Sequence, residues 1–143
     1  QLANINNEWY LYAFDHKRGD IRCFLPTRIQ SLGNTGKVFD RPDSFSLDAY
    51  LADSFGVFRG DESYAIKIRF NKTVAPFVRE KTWHPTQSIS QSKNGSITLN
   101  MQLSHLSDVL RWVLGWGSNA QVLAPKELVD AVCAEAQGIV DNS

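Results

Sequence analysis

The chain is expected to fold as α+β: an aromatic hairpin, then a ferredoxin-like βαββαβ unit with an extra terminal helix. Three observations predict it. The stretch from Asn7 to Ile29 reads as two strand-like runs around a polar turn. Tyr64 to Phe70 alternates apolar and charged or small side chains, the pattern of a strand with one buried face. Asn94-Gly95 lies between two further strand-like runs, and Asn-Gly is the strongest short hairpin signal. After residue 61 the elements read strand, helix, strand, strand, helix, strand and a last helix. That order is the split βαβ plan.

A chain of 143 residues suits one domain or two small ones. Fifteen basic and fifteen acidic residues leave no net charge, which argues against a bulk nucleic-acid coat but leaves room for a local basic site. The hydrophobic share of 43% is enough for a core, and no run of about 20 apolar residues predicts a membrane span. Cys23 and Cys133 lie far apart, with no spacing that suggests a disulfide framework, and fit a reduced, cytoplasmic setting. The chain opens on Gln1 and runs almost at once into a strand, with no signal-peptide pattern. The expectation is a fragment whose missing N-terminal part completes the first sheet.

Taken in order, residues 1–7 lead into the first strand. Glu8 to Phe14 is rich in aromatic and aliphatic side chains. Asp15 to Asp20 is a turn cluster in which Gly19 suits a left-handed position. Ile21 to Ile29 is the second run. With a loop of His16 to Gly19, Phe14 faces Ile21, Tyr12 faces Cys23 and Tyr10 faces Leu25. Trp9, Leu11, Arg22 and Phe24 then share the other face. A slip of one residue, or a bulge, reverses this assignment. Pro42 marks a boundary. Ser46 is expected to cap a short helix with Leu47, Tyr50 and Leu51 on one face. Phe55, Val57 and Phe58 in the connector can dock on one domain or both.

In the second half, Asn71 caps a helix that carries Val74, Phe77 and Val78 at helical spacing, with Pro76 in its first turn. Ser88–Ser92 and Ser96–Leu103 form the hairpin, with Ile97, Leu99, Met101 and Leu103 as its apolar face. Ser107 is expected to cap a helix through Leu114 that Gly115 ends. Ala120 to Leu123 is a last strand. Pro125 opens a final helix with an apolar stripe of Leu128, Val132, Ala136 and Ile139.

Among candidate functional residues, Arg22 and Arg28 come first. A guanidinium is always charged, and its fork fits phosphate oxygens bidentately. Tyr10 and Tyr12 can stack on bases, and the turn adds His16, Lys17 and Arg18. The competing reading is a solvated hairpin whose arginines pair with Asp15, Asp20 or Glu8. Trp9 and Leu11 are expected to be packing residues. Arg79, Trp83 and His84 form a second polar-aromatic group, in which His84 either contacts an anion or is a satisfied surface or capping group. Arg111, Trp112 and Trp116 read as structural, closing the core or an interface. Nothing marks an enzyme: the three histidines lack metal spacing, no glycine-rich phosphate loop follows a strand, and no nucleophile motif stands out. No cofactor is expected.

Trp9-Tyr10-Leu11 with Asp15, Arg22-Cys23-Phe24 and Arg28-Ile29 resembles the WYL domain. Phe77-Val78-Arg79-Glu80, Trp83-His84, Arg111 to Gly117 and Val122 to Pro125 resemble the C-terminal extension that follows WYL domains in bacterial transcriptional regulators. The resemblance implies a partial Sm-like β-barrel over residues 1–42, a linker with a short helix over 43–60, and the ferredoxin-like extension over 61–143. It implies a nucleic-acid or nucleotide effector held by Tyr10, Tyr12, His16, Arg18, Arg22, Arg28, Arg79 and His84. It also implies a homodimer, and operator DNA bound through an upstream helix-turn-helix. A purely structural dimerisation module, and an accessory protein of a phage-defence or RNA-guided system, remain the alternatives.

Overall fold

The computed structural model describes every residue except Asn6 and Phe58, so the docking expected of Phe58 lies outside the described residues. The chain forms two compact units, Gln1–Leu51 and Ala52–Ser143.

The first unit is a three-stranded antiparallel sheet in the order β1 (Leu2–Ile5), β2 (Glu8–Asp15), β3 (Asp20–Phe24). Its hairpin has the expected register, with Tyr12 opposite Cys23 and Phe14 opposite Ile21. Asp15 accepts from the Lys17 amide at 2.9 Å and Gly19 takes φ +70°, so the loop closes on a carboxylate and a left-handed glycine. Two expectations are corrected. Residues 2–5 form a strand of their own, pairing Leu2 with Leu11 and Ala3 with Tyr10. The second hairpin strand stops at Phe24, because Pro26 has no amide hydrogen to give a ladder. Pro26–Arg28 is instead a 3-10 turn, so Leu25 does not pair with Tyr10 and Arg28 sits on a turn. Helix α1 (Leu47–Tyr50) follows its Ser46 cap, whose hydroxyl accepts from the Ala49 amide at 3.3 Å. Leu47 is buried, and the Tyr50 hydroxyl donates to the Ile21 carbonyl at 3.0 Å. The Tyr50 ring meets Tyr12 edge-on with centroids 6.1 Å apart. That helix therefore closes over the Tyr12 face of the sheet.

The second unit runs β4 (Tyr64–Phe70), α2 (Ala75–Arg79), β5 (Ser88–Gln91), β6 (Ile97–Leu103), α3 (Ser107–Leu114), β7 (Ala120–Ala124) and α4 (Lys126–Asp141). The sheet order is β5-β6-β4-β7, and every pairing is antiparallel. Ile66, Ile68 and Phe70 face Met101, Leu99 and Ile97, and the helices bury Ala75, Val78, Val109, Val113 and Leu128 against them. The alternation of β4 predicts this side. At the other hairpin, Gly95 takes φ +85° between Gln91 and Ile97, as Asn-Gly requires.

Three details differ from expectation. Phe77 is 59% exposed, while Ala75 and Val78, three residues apart on a five-residue helix, face the core. Ser107 is the first helical residue rather than a cap, and its amide donates to His105 Nδ1 at 3.1 Å. Ala136 and Ile139 are exposed, because α4 continues beyond the packing that buries Leu128. Residues after Leu51 are fastened to the second unit. Ser104 donates to the Asp53 carbonyl from its amide at 2.8 Å and from its hydroxyl at 3.0 Å. The Val57 amide donates to Asp108 at 2.9 Å, and the Gly60 amide donates to the Ser104 hydroxyl at 3.3 Å.

Candidate functional site

The basic group of the first unit is built on the β2–β3 hairpin and the turn after it. Arg22 stands opposite Ala13, and the ladder Leu2–Leu11–Phe24 crosses the sheet on the same face. Arg22 and Arg28 are both exposed, and among the described residues neither guanidinium has an ion-pair partner. Asp15, Asp20 and Glu8 are therefore not their counter-ions here. Asp15 instead holds the loop backbone at the Lys17 and Arg18 amides, and the Asp20 carboxylate accepts from the Ile21 amide at 2.7 Å. Arg18 is exposed in the loop, and the His16 ring lies edge-on to Phe14 at 5.1 Å.

The aromatic side chains are arranged differently from expectation. Trp9, expected to pack, is 56% exposed; Leu11 is half-buried. Tyr12, expected to offer an open ring, is 2% exposed beneath α1. Burial raises the Tyr12 phenol well above its usual range; the Cys23 thiol beside it adds to the rise, and no group among the described residues meets the hydroxyl at full hydrogen-bond geometry. The Cys23 thiol across from it is likewise pushed up by burial. Tyr10 is half-buried, with its hydroxyl donating to Glu8 at 3.2 Å. The rings that share the open face with Arg22 are thus Trp9 and Phe24. Strand alternation places them there, because i and i+2 residues point the same way. What the sequence hides is that α1 covers the tyrosine side.

Arg79 and His84 belong to the second unit. Arg79 is exposed in the last turn of α2. His84, expected at the surface, is 2% exposed. Its Nδ1 accepts from the Thr86 amide at 3.2 Å and lies 2.8 Å from the Thr86 hydroxyl. An Nδ1 that accepts from an N–H carries no hydrogen, so the ring hydrogen is on Nε2. Burial lowers the His84 pKa, against the opposing influence of the Ala52 carbonyl and Asp53. Trp83, Trp112 and Trp116 close the core with Phe70. Trp83 and Trp112 centroids are 4.8 Å apart, and the Trp83 indole donates to the Val78 carbonyl at 2.8 Å. Among the described residues no three His, Cys, Asp or Glu side chains gather as metal ligands, and no helix is long and apolar enough to cross a membrane.

Two antiparallel α+β units with exposed arginines on the first are thus the frame. Residues 1–33 match the WYL domain and residues 62–140 match the WCX domain. The second match alone covers more than half of the chain: the chain belongs to the WYL- and WCX-domain family. A solved structure, proteasome accessory factor B/C (PafBC) of Arthrobacter aurescens, is similar over 94% of this chain at 21% identity and a TM-score of 0.44. The match covers 20% of that protein, so the chain spans about a fifth of its length. No curated protein matches.

Proposed function

We propose that this chain is the effector-sensing and dimerisation region of a bacterial, cytoplasmic transcriptional regulator, and that the hairpin arginines hold a nucleic-acid or nucleotide effector. On this reading the first unit is part of an Sm-like barrel. The second is a ferredoxin-like extension, which its strand order and alternating helices support. Operator DNA is bound elsewhere in the full protein, and no reaction is catalysed. One observation carries the effector site. Arg22 and Arg28 are solvent-facing cations without ion-pair partners among the described residues, and Arg22 shares its sheet face with the exposed rings of Trp9 and Phe24. An unpaired guanidinium fork fits phosphate oxygens, and an open ring face fits a base. Arg18, His16 and Tyr10 border the same hairpin. A bound effector acts on the operator only through unequal affinity for the two states of the regulator.

The test is binding of a labelled single-stranded oligonucleotide and of nucleotides to the wild type and to Arg22→Ala/Arg28→Ala. The expected result is at least tenfold weaker binding by the variant, and an affinity that falls steeply with salt. Equal binding by both proteins removes the site.

A further inference from the structure

The open face of the second unit's sheet carries a charge pattern that the zero net charge conceals. Residues 63–126 hold eight Lys or Arg and only two acidic residues, Glu80 and Asp108, a net of +6. Strands β4, β5, β6 and β7 contain no carboxylate. The unit's remaining acids lie in the connector (Asp53, Asp61, Glu62) and on α4 (Glu127, Asp130, Glu135, Asp141). Each of the two units is itself neutral, so the polarity is internal to the second.

The side of this sheet away from the core is set by the register. Lys67 and Arg69 of the central strand β4 project there, since Ile66, Ile68 and Phe70 are buried on the other side. Asn100 and Ser88 lie in the Lys67 row, and Ser90 and Gln121 flank the Arg69 row, in which Thr98 is buried between them. Lys67 and Arg69 are exposed, and neither has an ion-pair partner among the described residues. Ala65 and Ala124, both small, leave an open hollow of about 280 Å³ around Lys67, bordered by Thr86, Asn100 and Gln102. Among the described residues of the second unit no helix lies on this face; α4 packs against β7 and α3 on the core side, where Leu128 is buried.

We propose that this face is a docking surface for the phosphodiester backbone of a single-stranded nucleic acid, running along β4. The chemistry selects the occupant. Two cations and a frame of hydroxyl and carboxamide donors, with no acid among them, complement an anionic chain. Residues two apart on one strand place their charges about 6.6 Å apart, a separation that successive phosphates of an extended strand can match. Among the described residues the strands place no aromatic ring on this face, so it grips backbone and not bases, and its binding is indifferent to sequence. This surface is separate from the hairpin site of the first unit and stands or falls without it.

The experiment uses the full chain and its Lys67→Gln/Arg69→Gln variant. Both side chains are exposed, and an unchanged urea midpoint confirms the fold. Affinity for a labelled homopolymeric single strand is measured across a salt series, with Arg22→Ala/Arg28→Ala and Lys37→Gln alongside. Removing two phosphate contacts should flatten the slope of log K against log salt by about 1.4 and weaken binding at low salt at least fivefold. The Lys37 variant should bind as the wild type does. Amide shifts of Ser88, Ser90, Asn100 and Gln102 on adding the strand should vanish in the variant. An unchanged slope in Lys67→Gln/Arg69→Gln overturns the proposal whatever the hairpin variant does. Loss in the hairpin variant alone leaves the first site standing and sinks this one. Two other outcomes also overturn it by assigning the face to another occupant. One is a variant that loses self-association in sedimentation but keeps its affinity for the strand. The other is shifts that an acidic peptide reproduces and the strand does not.

Discussion

His84 is a titratable ring sealed into the second unit, and that makes its protonation a matter of stability. Its pKa in the fold is lowered by burial, whereas in the unfolded chain it titrates near 6.5. The charged group facing it is Asp53 from the connector, which favours the protonated form but is outweighed by desolvation. Below about pH 6.5 the unfolded chain binds a proton that the folded chain resists, so stability falls with acidification by at most about 1.4 kcal/mol per pH unit, until the folded ring titrates too. Above that pH the ring is neutral in both states and contributes no slope. Protonation also places a hydrogen on Nδ1, where the Thr86 amide now donates. The expected outcome is a urea midpoint that drops between pH 7.5 and 5.5 by more in the wild type than in His84→Gln. A parallel drop in both proteins, or an NMR titration of the His84 ring at or above 6.5, would refute this. Residue-level legibility was uneven for a physical reason. Tyr12 and His84 are polar-tipped side chains that sequence patterning leaves free to face either way. Their burial depends on α1 and on the segment at Ala52–Asp53, which are distant in sequence.

Elements were more legible than residues, because local chemistry determines them. The β2–β3 register follows from Asp15 and Gly19 at the turn, and the β5–β6 hairpin from Asn94-Gly95. The β4 core face follows from alternation alone. Strand β1 leaves no mark in the sequence: four residues give too short a pattern, and its partner β2 supplies the pairing. The connector was equally opaque, since its structure comes from hydrogen bonds to Ser104 and Asp108 some 50 positions later. Gly60 shows how close that contact is. A Cβ there would stand 2.4 Å from the Ser104 carbonyl oxygen, a backbone atom that cannot swing aside. Gly60→Ala is expected to lift the connector from the end of β6 and destabilise the second unit by roughly 1–3 kcal/mol. Gly33→Ala, with nothing within 4 Å, is the control and should be nearly neutral. Equal midpoints for Gly60→Ala and the wild type in urea would show that the contact yields freely.

At the scale of the whole molecule the two units have very different interiors. Among the described residues twelve form the buried cluster of the second unit, and its sheet is covered on one side by α2, α3 and α4 side chains. Among the described residues of the first unit, which spans 51 positions, the buried apolar side chains are Tyr12 and Leu47, and Leu2, Trp9, Phe14 and Phe24 are exposed. Small units bury a low fraction of their surface and are marginal on their own, and a sheet with one open face is more so. Tyr12 also buries its hydroxyl with only the Cys23 thiol, a weak hydrogen-bonding group, beside it. Local opening should therefore be far easier in β1–β3 than in β4 and β6, and this has a direct consequence for sensing. A unit poised near its unfolding threshold gains most from any ligand that binds only its folded form. Native-state hydrogen exchange measures it. The ladder amides of Leu11, Ala13 and Phe24 should exchange at least a hundredfold faster than those of Ile68, Leu99 and Met101. Addition of a single-stranded oligonucleotide that engages the hairpin should slow the first group and leave the second group, already limited by global unfolding, nearly unchanged. Comparable protection of both groups in the free chain would mean that the open face of the first sheet is covered in solution, and that its exposed apolar row is not an intrinsic weakness.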